Sequence, residues 1–201
     1  MPWPSRSTDS LRALLCSANP HKLAEMRQLL PGLELELLAA DYPPEDGATY
    51  LDNARIKARF GRRVGPPDVW MLADDSGIEV AALGGAPGVA TARWAQGRHV
   101  ERLLETLEGD TDRSARYVCE LVGLAPKGDE ARGTGILAGS IAEEAAGDEG
   151  FGFDPVFVPT GESRTVAELG DAWKALHSHR ALAARALRSA LARFSTGSTT
   201  S

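Results

Sequence analysis

The stretch Val69-Trp70-Met71-Leu72-Ala73-Asp74-Asp75-Ser76-Gly77 decides the fold of this chain. Five apolar residues, bounded by Pro66-Pro67-Asp68 on one side and a glycine beyond the acids on the other, read as a buried strand ending at Ala73. Two adjacent carboxylates then form an acidic turn. Acids this close raise each other's pKa unless something positive offsets them, and a buried strand seldom finishes in such a pair without cause. A divalent cation, Mg²⁺ or Mn²⁺, is the usual offset where a phosphorylated ligand is handled. A solvated turn after an edge strand is the other reading of the same residues.

Strand–loop–helix units flank this segment. Leu11 to Cys16 reads as a strand, after which Asn19-Pro20 supplies an N-cap and a proline at the first helical position. That helix runs through Leu30 and stops at Pro31-Gly32. Glu34 to Leu37 alternates as a half-buried strand, and a helix follows from about Thr49 to Arg63, with Leu51, Ala54 and Ala58 on one stripe. Beyond the acids come a brief alternation at Ile78-Glu79-Val80 and a glycine-rich loop at Leu83-Gly84-Gly85-Ala86-Pro87-Gly88. Val100, Leu103, Leu104 and Leu107 keep helical spacing. Tyr117 to Leu124 and Gly133 to Ile141 form a hairpin around Pro126-Lys127-Gly128-Asp129. Val156 to Val158 is a last short strand, and the final helix carries Ala183, Leu187, Ala190, Leu191 and Phe194 on one face. Crossover and hairpin links together predict an α/β domain with a mixed sheet.

Composition bounds the function. With 201 residues, 43% hydrophobic and 25% charged, the chain is one ordinary globular domain, predicted over 10–194. The Pro-containing residues 1–9 and the Ser/Thr/Gly-only residues 195–201 are expected to be disordered tails. A net charge of −6 argues against a nucleic-acid polymer as partner, although a few local donors can still bind a small anion. No apolar run approaches the ~18 residues of a spanning helix, so no membrane partner is expected. Leu11 to Cys16 faintly suggests a lipoprotein signal, but Leu15 occupies the small-residue position that cleavage needs. Cys16 and Cys119 sit in apolar segments and read as reduced core thiols, which fits the cytoplasm; a disulfide between two core strands is the alternative.

Five groups of residues carry chemistry. Ser17, Ala18, Asn19, Pro20, His21 and Lys22 stand where a strand hands over to a helix, so free N–H groups and the positive end of the dipole face an anion such as phosphate. The segment lacks the Gly-x-x-x-x-Gly-Lys pattern, and an N-capped helix with a surface lysine explains it equally. Asn53 and Lys57, four apart, project from one helix face toward a phosphate chain or simply toward water. Glu45, in a turn rich in Pro and Gly, is suited to delivering a carboxylate to a metal. Phe151, Gly152, Phe153 and Asp154 interleave aromatic faces with glycine next to an acid, as a nucleobase requires, with one of the two Phe rings expected in the core. Lys174, Ser178, His179 and Arg180 cluster near the start of the final helix as donors for carbonyl groups on a base edge, or as a surface basic patch.

In this order, Ser-Ala-Asn-Pro-His-Lys, Ala-Asp-Asp-Ser-Gly, Leu-Gly-Gly-Ala-Pro-Gly-Val, Gly-Phe-Gly-Phe-Asp-Pro and Ser-His-Arg resemble the inosine triphosphate pyrophosphatase family from Leu11 to about Phe194. The resemblance implies an elongated α/β protein with a long mixed sheet, flanking helices and two lobes around a nucleotide cleft, usually a homodimer. It implies Mg²⁺-dependent hydrolysis of inosine, deoxyinosine and xanthosine triphosphates to the monophosphate and pyrophosphate. By matched position, Ser17, Asn19 and Lys22 resemble the triphosphate loop, Glu45 and Asp75 the metal-binding acids, and Asp75 also the proton acceptor. Ser76 resembles a substrate contact, Phe151 to Asp154 the segment bordering the base, and Lys174, His179 and Arg180 the rest of the purine pocket. Trp94-Ala95-Gln96-Gly97 and Gly170-Asp171-Ala172-Trp173 depart from the family pattern. Two rival readings remain: a Maf-type nucleotide pyrophosphatase with another base preference, and a nucleotide-binding module without catalysis.

Overall fold

The computed structural model describes residues 11–94 and 97–196. The expected tail 1–9, residues 197–201 of the expected tail 195–201, and Ala95-Gln96 of the Trp94 departure lie outside the described residues. The chain builds one six-stranded mixed sheet in the order β2-β1-β3-β4-β5-β6. Its strands are β1 (Leu11–Leu15), β2 (Leu33–Leu37), β3 (Trp70–Val80), β4 (Ser114–Leu124), β5 (Glu130–Ile141) and β6 (Phe157–Pro159). The helices are α1 (Pro20–Leu29), α2 (Tyr50–Val64), α3 (Thr91–Trp94), α4 (His99–Thr106), α5 (Val166–His177) and α6 (His179–Thr196). β1 pairs in parallel with β2 and β3, as crossover helices require, while β3, β4, β5 and β6 are successive antiparallel neighbours.

Helices cover both faces of this sheet. On one face Met26 and Leu29 of α1, Leu30 just beyond it, and Ala183, Leu187 and Leu191 of α6 pack on Leu15, Leu72, Cys119 and Leu121. On the other, Ala54 and Ala58 of α2 pack on Met71, Ala73, Val122 and Leu124. A third cluster, with Ile78, Val80, Leu103, Leu107, Phe153 and Phe157, packs around the far end of β3. α6 lies directly against β5 because Gly133 and Gly135 carry no side chain. A Cβ on either would collide with the backbone of Ala183 or His179.

Three expectations need correction. The acids do not end the strand: β3 continues through Asp74, Asp75, Ser76 and Gly77 to Val80, because β4 pairs with it at every position from Met71 to Val80. Lys174 does not start the final helix; it lies on α5, a separate helix opened by a capping box at Thr165 and Glu168. Its apolar spacing is broken by Gly170, whose φ of 81° is non-helical, and this hides the helix from a periodicity reading. α6 also runs past the expected boundary at 194 to Thr196, with Phe194 in edge contact with Trp70 at 5.7 Å.

Candidate active site

Strand alternation separates the two acids. Successive side chains of a strand point to opposite faces, so Asp74 turns toward α1 and α6 and Asp75 toward α2. Each acid therefore meets its own cations, and the expected mutual repulsion is offset by protein charges on both faces.

Asp75 is 6% exposed and accepts a hydrogen bond from Asn53 Nδ2 at 2.9 Å. Lys57 Nζ is 2.5 Å from Glu45 Oε1 and 3.8 Å from Asp75 Oδ1, so one ammonium bridges two carboxylates that are 30 positions apart in the chain. Burial pushes the Asp75 pKa up, and the Glu45 charge adds to this; Lys57, the Asn53 amide and Lys22 oppose it, and the net shift is upward. Burial disfavours the Lys57 ammonium, but Asp74, Asp75 and Glu45 outweigh it and keep the lysine charged.

Asp74 is fully buried, with Oδ2 2.9 Å from Lys22 Nζ and 3.5 Å from Arg180 Nε. Burial raises its pKa, yet Lys22, Arg180 and Lys57 together bring it below the usual carboxylate range. Arg180, 2% exposed, also donates to Glu25 Oε2 at 2.5 Å and to Ser76 Oγ at 3.1 Å.

Lys22, Glu45, Lys57, Asp75, Ser76 and Arg180 line a cavity of about 650 Å³, a size ordinary for small-molecule sites. Toward one end, gathered by the Lys57 ion pairs, stand Ser17, Ala18, Asn19 and Lys22, with Glu45, Lys57, Asp75 and Ser76; toward the other, gathered around Asp154, stand Phe151, Gly152, Phe153, Asp154, Lys174 and His179, and Arg180 joins the two groups through its hydrogen bond to Ser76. The first end lies just past the C-terminus of β1, where Cys16 N–H makes the last bond to Leu72 and the chain leaves the sheet. There the Ser17 hydroxyl accepts the Asn19 N–H at 3.1 Å. The side chains of Pro20 and His21 lie outside the described residues. Asn53 does not line the cavity. It is fully buried beneath Asp75, because its position on α2 points it at the sheet rather than at open space.

At the far end, the two Phe residues part company. Phe151 is 43% exposed with Lys174 Nζ 4.5 Å from its ring centroid, whereas Phe153 is buried among core residues and meets His99 edge-on. Asp154 accepts from Lys174 Nζ at 2.8 Å and from the Phe151 N–H at 2.9 Å. Gly150, at φ 78°, makes this turn possible, since a Cβ there would meet the Asp154 carboxylate. His179 stacks on Tyr117 at 4.6 Å and 14°, and Tyr117 donates its hydroxyl to Asp154 at 3.3 Å. Burial, with the Arg180 charge, pushes the His179 pKa well down, so its imidazole is neutral.

Sequence reasoning missed Asp74 as a separate anchor, Glu25 and Tyr117. Glu25 had a signal, three residues after Lys22 on the same helix face. Tyr117 had none, because its role depends on the distant α6.

Glu45 and Asp75 offer hard oxygen donors on the cavity wall, and Mg²⁺ is commonly held by one or two carboxylates with substrate phosphates completing its shell. Among the described residues no three His, Cys, Asp or Glu side chains form a ready cage. The donor set thus fits a metal that a phosphate ligand helps to hold.

Comparison with known proteins gives a consistent result. The chain is 41% identical over 186 residues to the dITP/XTP pyrophosphatase of Bdellovibrio bacteriovorus, covering 86% of this chain and 93% of that one. It is 42% identical over 190 residues to the dITP/XTP pyrophosphatase of Leifsonia xyli subsp. xyli, covering 88% and 94%. Among solved structures, a HAM1 protein from Coxiella burnetii superposes with a TM-score of 0.80 at 36% identity, covering 91% of this chain and 99% of that one. A sequence model of the Ham1 family matches residues 13–190, and with this agreement in sequence, sheet and helices the chain belongs to the Ham1 family.

Proposed function

We propose that this chain hydrolyses deaminated purine nucleoside triphosphates, ITP, dITP and XTP, to the monophosphate and pyrophosphate, and so clears them from the nucleotide pool. The observation that carries the reading is that one cavity holds a carboxylate pair with lysines at one end and an exposed aromatic face with base-edge donors at the other. The names of its relatives, dITP/XTP pyrophosphatases, support the same substrates and mark the chain as a hydrolase acting on a phosphoric anhydride bond.

In this reading the triphosphate lies on the N–H groups and side chains of Ser17 to Asn19, with Lys22 balancing charge on the leaving pyrophosphate. Glu45 and Asp75 would hold Mg²⁺, which when bound polarises phosphate oxygens and lowers the pKa of a coordinated water. Asp75 takes the proton of the attacking water at its carboxylate, an ability that its raised pKa favours. Attack falls on the α-phosphorus. Asn53 and Lys57 hold the Asp75 carboxylate in place. The Phe151 face takes the base, and Lys174, neutral His179 and Arg180 supply N–H groups that donate to a 6-oxo oxygen and oppose the 6-amino group of adenine. A homodimer working in the cytoplasm completes the proposal.

Purified protein incubated with Mg²⁺ and a panel of triphosphates, followed by chromatography, tests this directly. ITP, dITP and XTP should yield monophosphate and pyrophosphate, with ATP turned over far more slowly. Orthophosphate and diphosphate as products would mean attack at the γ-phosphorus and would overturn the assignment, as would equal rates for ATP and ITP. Sedimentation equilibrium checks the dimer.

A further inference from the structure

Asp74 touches nothing in the cavity, yet it stands between the two ends of it. One of its two oxygens, Oδ2, faces both Lys22 of α1 at 2.9 Å and Arg180 of α6 at 3.5 Å. Lys22 sits at hydrogen-bond distance from this oxygen, whereas Arg180 Nε donates no aligned hydrogen bond among the described residues, so the guanidinium is joined to Asp74 by charge rather than by a directed bond. Such a joint tolerates small sliding movements that would break a directional hydrogen bond. The two cations are linked a second time, since Arg180 Nη1 contacts Glu25, which lies one turn along α1 from Lys22. Arg180 also reaches the catalytic strand through Ser76 Oγ at 3.1 Å. On its outer side Arg180 lies 5.8 Å from the Phe151 ring centroid and follows His179 directly.

We infer that Asp74 is a positioning residue that couples base recognition to the phosphate-binding lysine. This inference rests on the proposed function for the identity of the two ends. A base with a 6-oxo acceptor engages Arg180 without displacing it; the guanidinium then stays on Asp74, and Lys22 is held with its remaining donors turned to the cavity. A 6-amino group repels the guanidinium and drives it further onto Asp74, at the expense of Lys22. Occupancy of one end is thereby communicated to the other through one shared carboxylate, and linkage requires the effect to be reciprocal.

Two ligands that each fill one end test the coupling in the wild-type protein. Calorimetric titration with magnesium pyrophosphate, with and without saturating inosine, should show pyrophosphate binding tightened about 5-fold or more by the nucleoside, within the ordinary range of coupling between sites. Equal pyrophosphate affinity in both titrations overturns the inference, and this arm needs no variant to fold. In Asp74→Asn the inosine effect should fall below about twofold, and the ratio of kcat/KM for ITP over ATP should drop by about tenfold, although residue 74 contacts no base. A purely structural role would lower both substrates by one factor and leave the ratio unchanged, which also sinks the coupling. If the wild-type protein bound neither probe, the failure would lie in the proposed function itself.

Discussion

Asn53 joins Asp75 to the loop that carries Glu45: its Nδ2 donates to Asp75 Oδ2 at 2.9 Å while its Oδ1 accepts the Gly47 N–H at 2.8 Å. One fully buried amide therefore fixes the spacing of two carboxylates from separate parts of the chain. If Asp75 holds the metal as proposed, Asn53→Ala should reduce turnover of ITP by about 10–100-fold, the usual cost of losing a group that orients a ligating side chain. It should also lower stability by about 1–3 kcal/mol, because Asp75 and Gly47 each lose a buried partner. Turnover within twofold of wild type, with urea unfolding unchanged, would refute this role.

Lys57 is the largest influence holding the Asp75 pKa down against burial. Removing that charge in Lys57→Met raises the Asp75 pKa further. A base must be ionised to accept a proton, so activity is lost as pH falls through that pKa, and the acid limb of the kcat/KM profile should move to higher pH in the variant. An acid limb that stays in place while only the plateau drops would show that Lys57 does not act on Asp75.

Much of this site was legible in the chain because its pieces are local. Ser17 to Lys22, Asp75-Ser76 and Phe151 to Asp154 are contiguous motifs at element ends, and contiguous residues betray their chemistry by type and spacing. The partners that organise them were not legible. Asp74 looked like half of an acidic pair until the strand was seen to continue, because only inter-strand pairing to β4 decides whether neighbouring acids share a face. Likewise the α5 helix was hidden by Gly170, and Tyr117 acquired meaning only when α6 laid His179 on it.

The same closeness of α6 to β5 makes Gly135 a lever on the base end of the cavity. A Cβ at this position would collide with the His179 carbonyl and the Ala183 N–H, both backbone, so the start of α6 must move. Gly135→Ala should cost about 1–3 kcal/mol through overpacking and raise the KM for ITP by displacing His179 and Arg180. Gly123→Ala is the control: its Cβ would find only ordinary contacts, the nearest at 3.5 Å with Trp70. Similar KM values in the two variants would show that the α6 contact does not position the base pocket.

His179 ties stability to pH. In the unfolded chain its pKa is near 6.5, whereas burial and the Arg180 charge hold it well below that in the folded state. Below pH 6.5 the unfolded chain therefore binds a proton that the folded chain refuses. Stability is complete above this point and falls on acidification toward the folded pKa, by up to about 1.4 kcal/mol per pH unit for one proton. The carboxylates add their own acid dependence, but they are common to wild type and His179→Gln. The glutamine variant loses the stack on Tyr117, a pH-independent offset, and it cannot titrate. Urea unfolding at pH 7.5, 6.0 and 5.0 should consequently show the wild-type advantage over the variant shrinking as pH falls. A gap that stays constant across the three would mean that the folded protein protonates His179 as readily as the unfolded chain does, and that its imidazole is not the neutral group this pocket requires.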